Sequence, residues 1–166
     1  KVRRYATLIA EQMQLPSSTI ERIGRAAMLH DIGKIGLPDK LLLKDGPLTE
    51  EEWDLMRRHT LMSVGIMESM EFLDQEVPTV RYHHEHFDGS GYPEGLAGSQ
   101  IPLAARVLAV ADAFDAMTSS RAYREAMSVQ QACEELDPDV VDAFLVVIRD
   151  QNITDESIAV PAAAAS

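Results

Sequence analysis

Residues 101–119, IPLAARVLAVADAFDAMTS, constrain the fold more than any other stretch. The segment reads as an alanine-rich helix, and its apolar face is so broad that it implies burial on most sides. Asp112 sits inside that apolar run. An acid buried there is costly unless it is paired, caps a backbone group or binds a metal. One helix therefore asks for a surrounding fold and for a partner to its own carboxylate.

The rest of the chain supplies helices. Val2, Tyr5, Leu8, Ile9 and Met13 form one stripe in residues 1–14. A second helix opens at Pro16, with Ser17 and Ser18 as cap candidates, and repeats Ile20, Ile23, Ala27 and Met28 at helical spacing through HDIGKI. A loop with Gly36, Pro38, Gly46 and Pro47 follows. Thr49 and Glu52 then form a capping box that predicts one long helix, in which Gly65 marks a break or a close helix contact. EVPTVRYHHEHF reads as a helix entered at Pro78, and residues 88–102 as a loop. Ser128 is expected to cap another helix. Asp137 caps the next, with Pro138 at its first position. With no strand ladder and no internal repeat, the chain is expected to be all-α. One domain spans 1–150, and a loosely ordered tail of low complexity, 151–166, follows.

Size and charge bound the function. At 166 residues the chain can bury a real core without staples. Its single cysteine, Cys133, cannot form an internal disulfide, which fits a reducing compartment. No apolar run approaches the roughly 20 residues that cross a bilayer, and KVRRYATLIAEQMQL does not read as a signal peptide. A net charge of −12 argues against broad electrostatic binding to DNA, RNA or anionic lipid. It leaves room for a small phosphorylated ligand, because bound metals or a few local cations reverse the field inside one cleft.

The polar residues that a helical fold would bury form one constellation. His30 and Asp31 follow an apolar turn, with Lys34 just beyond. His59 comes 29 positions after His30, His83 and His84 follow 24 positions later, and Asp112 completes the set. Imidazole and carboxylate together suit Fe, Mn, Ni or Zn. A mixed set with a shared carboxylate also suits two metals about 3.5–4 Å apart, which aim a hydroxide at phosphorus. Each element has a bland alternative, such as a satisfied core histidine. Four together, in this order, are much harder to attribute to accident.

HDIGK, HH, DGSGYP and ADAFDAMTSSRAYR, read in sequence, resemble the HD-GYP domain of the HD superfamily of metal-dependent phosphohydrolases. The likeness runs from about Lys1 to about Leu145 and implies a helical bundle with a GYP loop at the active-site mouth. It also implies hydrolysis of the bacterial second messenger cyclic di-GMP to linear pGpG and, in many members, on to GMP. By position, His30, Asp31, His59, His83, His84 and Asp112 are implied metal ligands, with Asp31 bridging two divalent ions, most commonly Fe or Mn. Lys34 is implied to lie near the scissile phosphate, and Gly91, Tyr92 and Pro93 to shape the loop. Asp115, Arg121 and Arg124 match positions that face the ligand. For the two arginines a solvated helix end is the alternative. His86 matches no ligand position and is assigned to the surface or to the surroundings of the ligands.

The sequence departs from the family pattern in three places. The family's helix before HDxGK carries a histidine, and in some members a glutamate, at positions ahead of Lys1, so a third metal depends on that glutamate. The join ACEELDPDVV is short, through a deletion or an absent segment between Leu136 and Asp137. Ala122 stands where proline is common. Family members usually follow a receiver or sensory domain, and the abrupt start fits such a neighbour, with dimerisation or a signalling partner left open. A catalytically weak nucleotide sensor, or a hydrolase of another cyclic dinucleotide, is the competing reading.

Overall fold

The computed structural model describes residues 1–118 and 135–150. Its helices are α1 (Val2–Gln12), α2 (Ser17–Leu29), α3 (Asp39–Leu42), α4 (Glu50–Arg57), α5 (His59–Met67), α6 (Val77–Arg81), α7 (Leu103–Thr118) and α8 (Pro138–Asp150). Short 3-10 turns lie at Ile32–Gly36, Glu71–Leu73 and Gly98–Gln100. No strand occurs among the described residues. The all-α expectation holds.

The broad apolar helix is the hub. None of residues 101–117 is exposed, because α1, α2, α6 and α8 all pack on α7. Alanines at the contacts (Ala6, Ala10, Ala26, Ala105 and Ala111) are fully buried and let the helix axes approach closely. Ile9, Ile23, Val107, Leu108 and Val140 fill the remaining volume. Tyr5, Phe114 and Phe144 meet edge to face, with Phe114 centred 4.9 Å from Tyr5 and 4.6 Å from Phe144.

Helix ends follow the expected chemistry at two places. Thr49 and Glu52 form the reciprocal capping box at the start of α4. Asp137 accepts the backbone N–H groups of Asp139 and Val140 at the start of α8 and also pairs with Arg106 of α7. The cap thereby ties two core helices together.

Three expected elements differ. Pro16 takes the cap position of α2 with extended backbone and no side-chain cap, so Ser17 is the first helical residue. The helix then stops at Leu29, and HDIGK continues as a 3-10 turn. The stretch after Thr49 is two helices broken at Arg58, where α4 has no buried residue and α5 buries His59, Thr60, Ser63, Val64 and Met67. Gly65 marks neither a break nor a close contact, since a Cβ there would meet nothing within 4 Å. EVPTVRYHHEHF is helical only over Val77–Arg81, which leaves His83 and His84 in the turn that follows. Ser128 and the tail lie outside the described residues, as do Arg121, Ala122, Arg124 and Cys133.

Candidate metal centre

Four elements deliver the polar constellation to one point. His30 stands at the C-terminal end of α2, His59 at the start of α5, His83 and His84 just past α6, and Asp112 on α7. The His83 ring centre lies 5.2 Å from that of His30, 5.8 Å from that of His59 and 4.0 Å from that of His84. Ligand atoms of His59, His83 and His84 lie within 4.8 Å of one another, and so do those of His30, Asp31 and His83. His83 belongs to both groups.

One device orients three of the rings. The Nδ1 of His30 lies 2.9 Å from the carbonyl of Ala27, that of His59 2.7 Å from Met56, and that of His83 2.7 Å from Val80. Each partner is three residues back, a carbonyl left over where a helix ends. A carbonyl can only accept, so each Nδ1 carries a proton, and on the rings of His59 and His83, which burial keeps neutral, the Nε2 retains its lone pair. The Nε2 atoms of His59 and His83 are buried and make no hydrogen bond among the described residues. Two buried imidazole acceptors without donors are expensive unless a cation occupies the space between them. The donor set therefore fits a divalent metal.

Charge is distributed unevenly. Burial, and then the charge of His30, push the His83 pKa down to about 4, which keeps it a neutral imidazole able to act as a ligand. Burial also lowers that of His59. Burial works against charge on His30 too, but Asp112 and Asp31 outweigh it and raise the pKa above 6.5. The Nε2 of His30 stands 3.6 Å from Asp31 and 3.6 Å from Asp112, while Asp31 lies 3.5 Å from the Nε2 of His59. Burial favours a neutral Asp31, yet the charges of His30 and Lys34 hold its pKa below the usual carboxylate value. Lys34 Nζ sits 2.6 Å from Asp31 Oδ2. Asp31 is thus the meeting point of two histidines and the lysine.

The backbone explains two glycines. A Cβ on Gly33 would lie 2.1 Å from the carbonyl oxygen of His59 and 2.5 Å from the nitrogen of Ser63, so only glycine lets the HDIGK turn rest on α5. Ser63 completes that contact, accepting from Gly33 N–H at 2.8 Å and donating to the carbonyl of His30 at 3.0 Å. Gly91 likewise lies on the backbone of residues 84–86, where a Cβ would come within 2.2 Å of the His86 nitrogen. Tyr92 N–H donates to the His84 carbonyl, and the Tyr92 ring stacks on His84 with centres 4.9 Å apart. Pro93 continues the loop through a cis peptide bond. Asp115 is buried one turn beyond Asp112. His86 contacts Ser90 and Glu135 and is in neither ligand group. Ser63 and Glu85, which the sequence did not single out, hold these backbones in place.

A helical frame that brings histidines and aspartates from four elements to one point fits a metal site of the HD type, and the model of the HD domain matches residues 1–140. The chain belongs to the HD domain family, in the HD-GYP group. It is 43% identical over 155 residues to the cyclic di-GMP phosphodiesterase response regulator RpfG of Xanthomonas campestris, covering 87% of this chain and 41% of that protein. It is 41% identical over 157 residues to a cyclic di-GMP phosphodiesterase of Thermotoga maritima, covering 89% and 42%. It is also 38% identical over 138 residues to the 3'3'-cGAMP-specific phosphodiesterase 2 of Vibrio cholerae, covering 82% and 26%. The chain spans about two fifths of the length of the first two relatives. Among solved structures, Bd1817, a HDG"Y"P protein from Bdellovibrio bacteriovorus, superposes with a TM-score of 0.72 at 18% identity, covering 89% of this chain and 50% of that one, and shares the fold. No helix among the described residues is long and apolar enough to cross a membrane.

Proposed function

We propose that this domain is a metal-dependent phosphodiesterase that opens cyclic di-GMP to linear pGpG and carries it on to GMP. The observation that carries the reading is the pair of buried Nε2 atoms on His59 and His83, aimed at a centre shared with His30, Asp31 and His84. His30, Asp31, His59, His83, His84 and Asp112 would hold two divalent ions, Fe or Mn by preference, with Asp31 between them. A third ion would need a glutamate from outside this sequence. Bound there, such ions screen phosphate charge and lower the pKa of water.

The chain's own groups supply the rest. Lys34, held at 2.6 Å by Asp31, places an ammonium where it can pair with a phosphate oxygen or protonate the departing 3′ oxygen. Tyr92 over His84 narrows the mouth of the site, and Gly91 lets the loop lie flat enough to put it there. Asp115, Arg121 and Arg124 are proposed to face the nucleotide. The name of the Xanthomonas relative supports a receiver domain as neighbour, and cyclic di-GMP supports a cytoplasmic setting. Identity of 33–38% to three 3'3'-cGAMP-specific enzymes favours a second reading, in which the substrate carries one adenine.

The test is product analysis with the full-length protein, reconstituted with Mn or Fe and offered both dinucleotides. The proposal expects pGpG from cyclic di-GMP and none from Asp31→Ala. Faster turnover of 3'3'-cGAMP selects the second reading, and undiminished turnover in Asp31→Ala rejects both.

A further inference from the structure

Glu85 directly follows the two adjacent histidines and, although an acid, is only 2% exposed. Its two carboxylate oxygens are both used. One accepts the backbone N–H of Glu94 at 2.7 Å and the other that of Leu96 at 2.9 Å. Both donors lie just beyond the Gly91–Tyr92–Pro93 corner. On the near side of the corner, Tyr92 N–H is bonded to the His84 carbonyl at 3.0 Å, and Gly91 lies on the backbone of residues 84–86. The loop is thus fastened at both ends to the three residues that begin with a candidate ligand. Charged acceptors make such bonds short and strong, and burial removes competing water.

We propose that Glu85 is a positioning residue that clamps the loop and so fixes the Tyr92 ring on His84, setting the width of cleft open to a nucleobase of the cyclic dinucleotide. The inference rests on the phosphodiesterase reading for its substrate, but not for the clamp. Glutamine at this position keeps one acceptor and turns an amide N–H₂ toward the second backbone N–H. Alanine removes both acceptors. Neither change touches a group placed in the metal set.

The experiment compares wild type, Glu85→Gln and Glu85→Ala in the full-length, metal-reconstituted protein. Each is assayed on cyclic di-GMP and on bis(p-nitrophenyl) phosphate, a diester with no nucleobase, and backbone amide exchange is followed at residues 94 and 96. The clamp predicts that KM for cyclic di-GMP rises about tenfold in Glu85→Ala and less in Glu85→Gln, with kcat and metal content near wild type. Turnover of the small diester stays unchanged, and the amides of Glu94 and Leu96 lose protection. Equal losses on both substrates, or protected amides in Glu85→Ala, overturn the proposal. If wild type cleaves the small diester but not cyclic di-GMP, the substrate reading fails while the amide exchange still decides the clamp.

Discussion

Replacing Ser63 with alanine removes one oxygen from the fully buried contact between α5 and the HDIGK turn. That oxygen satisfies two backbone groups, Gly33 N–H and the His30 carbonyl. Alanine leaves both buried and unmet. An unsatisfied buried group costs about 1–3 kcal/mol, so the pair costs about 2–6 kcal/mol less whatever the turn recovers by shifting. For a domain with roughly 5–15 kcal/mol of total stability this is a large share. With a urea m-value of about 2 kcal/mol/M, the midpoint should fall by about 1–3 M at constant m. The same bonds set the separation of the His30–Asp31 turn from the helix that carries His59. Metal affinity should therefore fall about 10–100-fold, as it does when supports behind a ligand are removed. Equilibrium urea unfolding of the metal-free protein and a competition titration with a chelating dye measure the two effects. A midpoint within about 0.3 M of wild type, with unchanged affinity, would refute the idea that Ser63 holds the site together.

Gly33→Ala drives a Cβ into the α5 backbone at 2.1 Å, so it should destabilise by about 3 kcal/mol or more and weaken metal binding; thermal unfolding and metal titration check this. His83 sets a pH dependence in the metal-free protein. Its folded pKa of about 4 lies below the 6.5 of the unfolded chain, so between those values the unfolded state binds a proton that the folded state refuses. Its contribution, about 3 kcal/mol, is present above pH 6.5 and is lost as pH falls toward 4. His30 is shifted upward and works with the opposite sign at higher pH, so the comparison is with His83→Leu. Urea midpoints of that variant between pH 6.5 and 4 should fall less steeply than those of wild type, and parallel curves would show the shift to be absent.

The helical frame was legible where one side of a segment carries its whole instruction. The stripe of α1, the breadth of α7 and the Asp137–Pro138 start of α8 are local patterns, and the fold keeps them. Boundaries set by contacts distant in sequence were not legible. Nothing in RRHTLM announces a break at Arg58, because the break serves to turn His59, Ser63 and Met67 inward against other helices. HDIGK read as continued helix, but Gly33 must lie on α5, and a 3-10 turn puts it there. The histidines and aspartates were legible as a set through their order along the chain. What orients them was not: backbone carbonyls three residues back have no signature in sequence, and Ser63 and Glu85 look like ordinary polar residues until their partners are seen.

Elemental analysis of the full-length protein, purified without oxygen and supplied with Fe or Mn, counts the ions that the histidine and aspartate groups hold. Two divalent ions per chain are expected, or three where a glutamate from outside this sequence joins, falling by at least one in His83→Leu, whose imidazole belongs to both candidate ligand groups. Less than one ion per folded wild-type chain, or the same content in wild type and His83→Leu, would contradict a metal centre built on these residues.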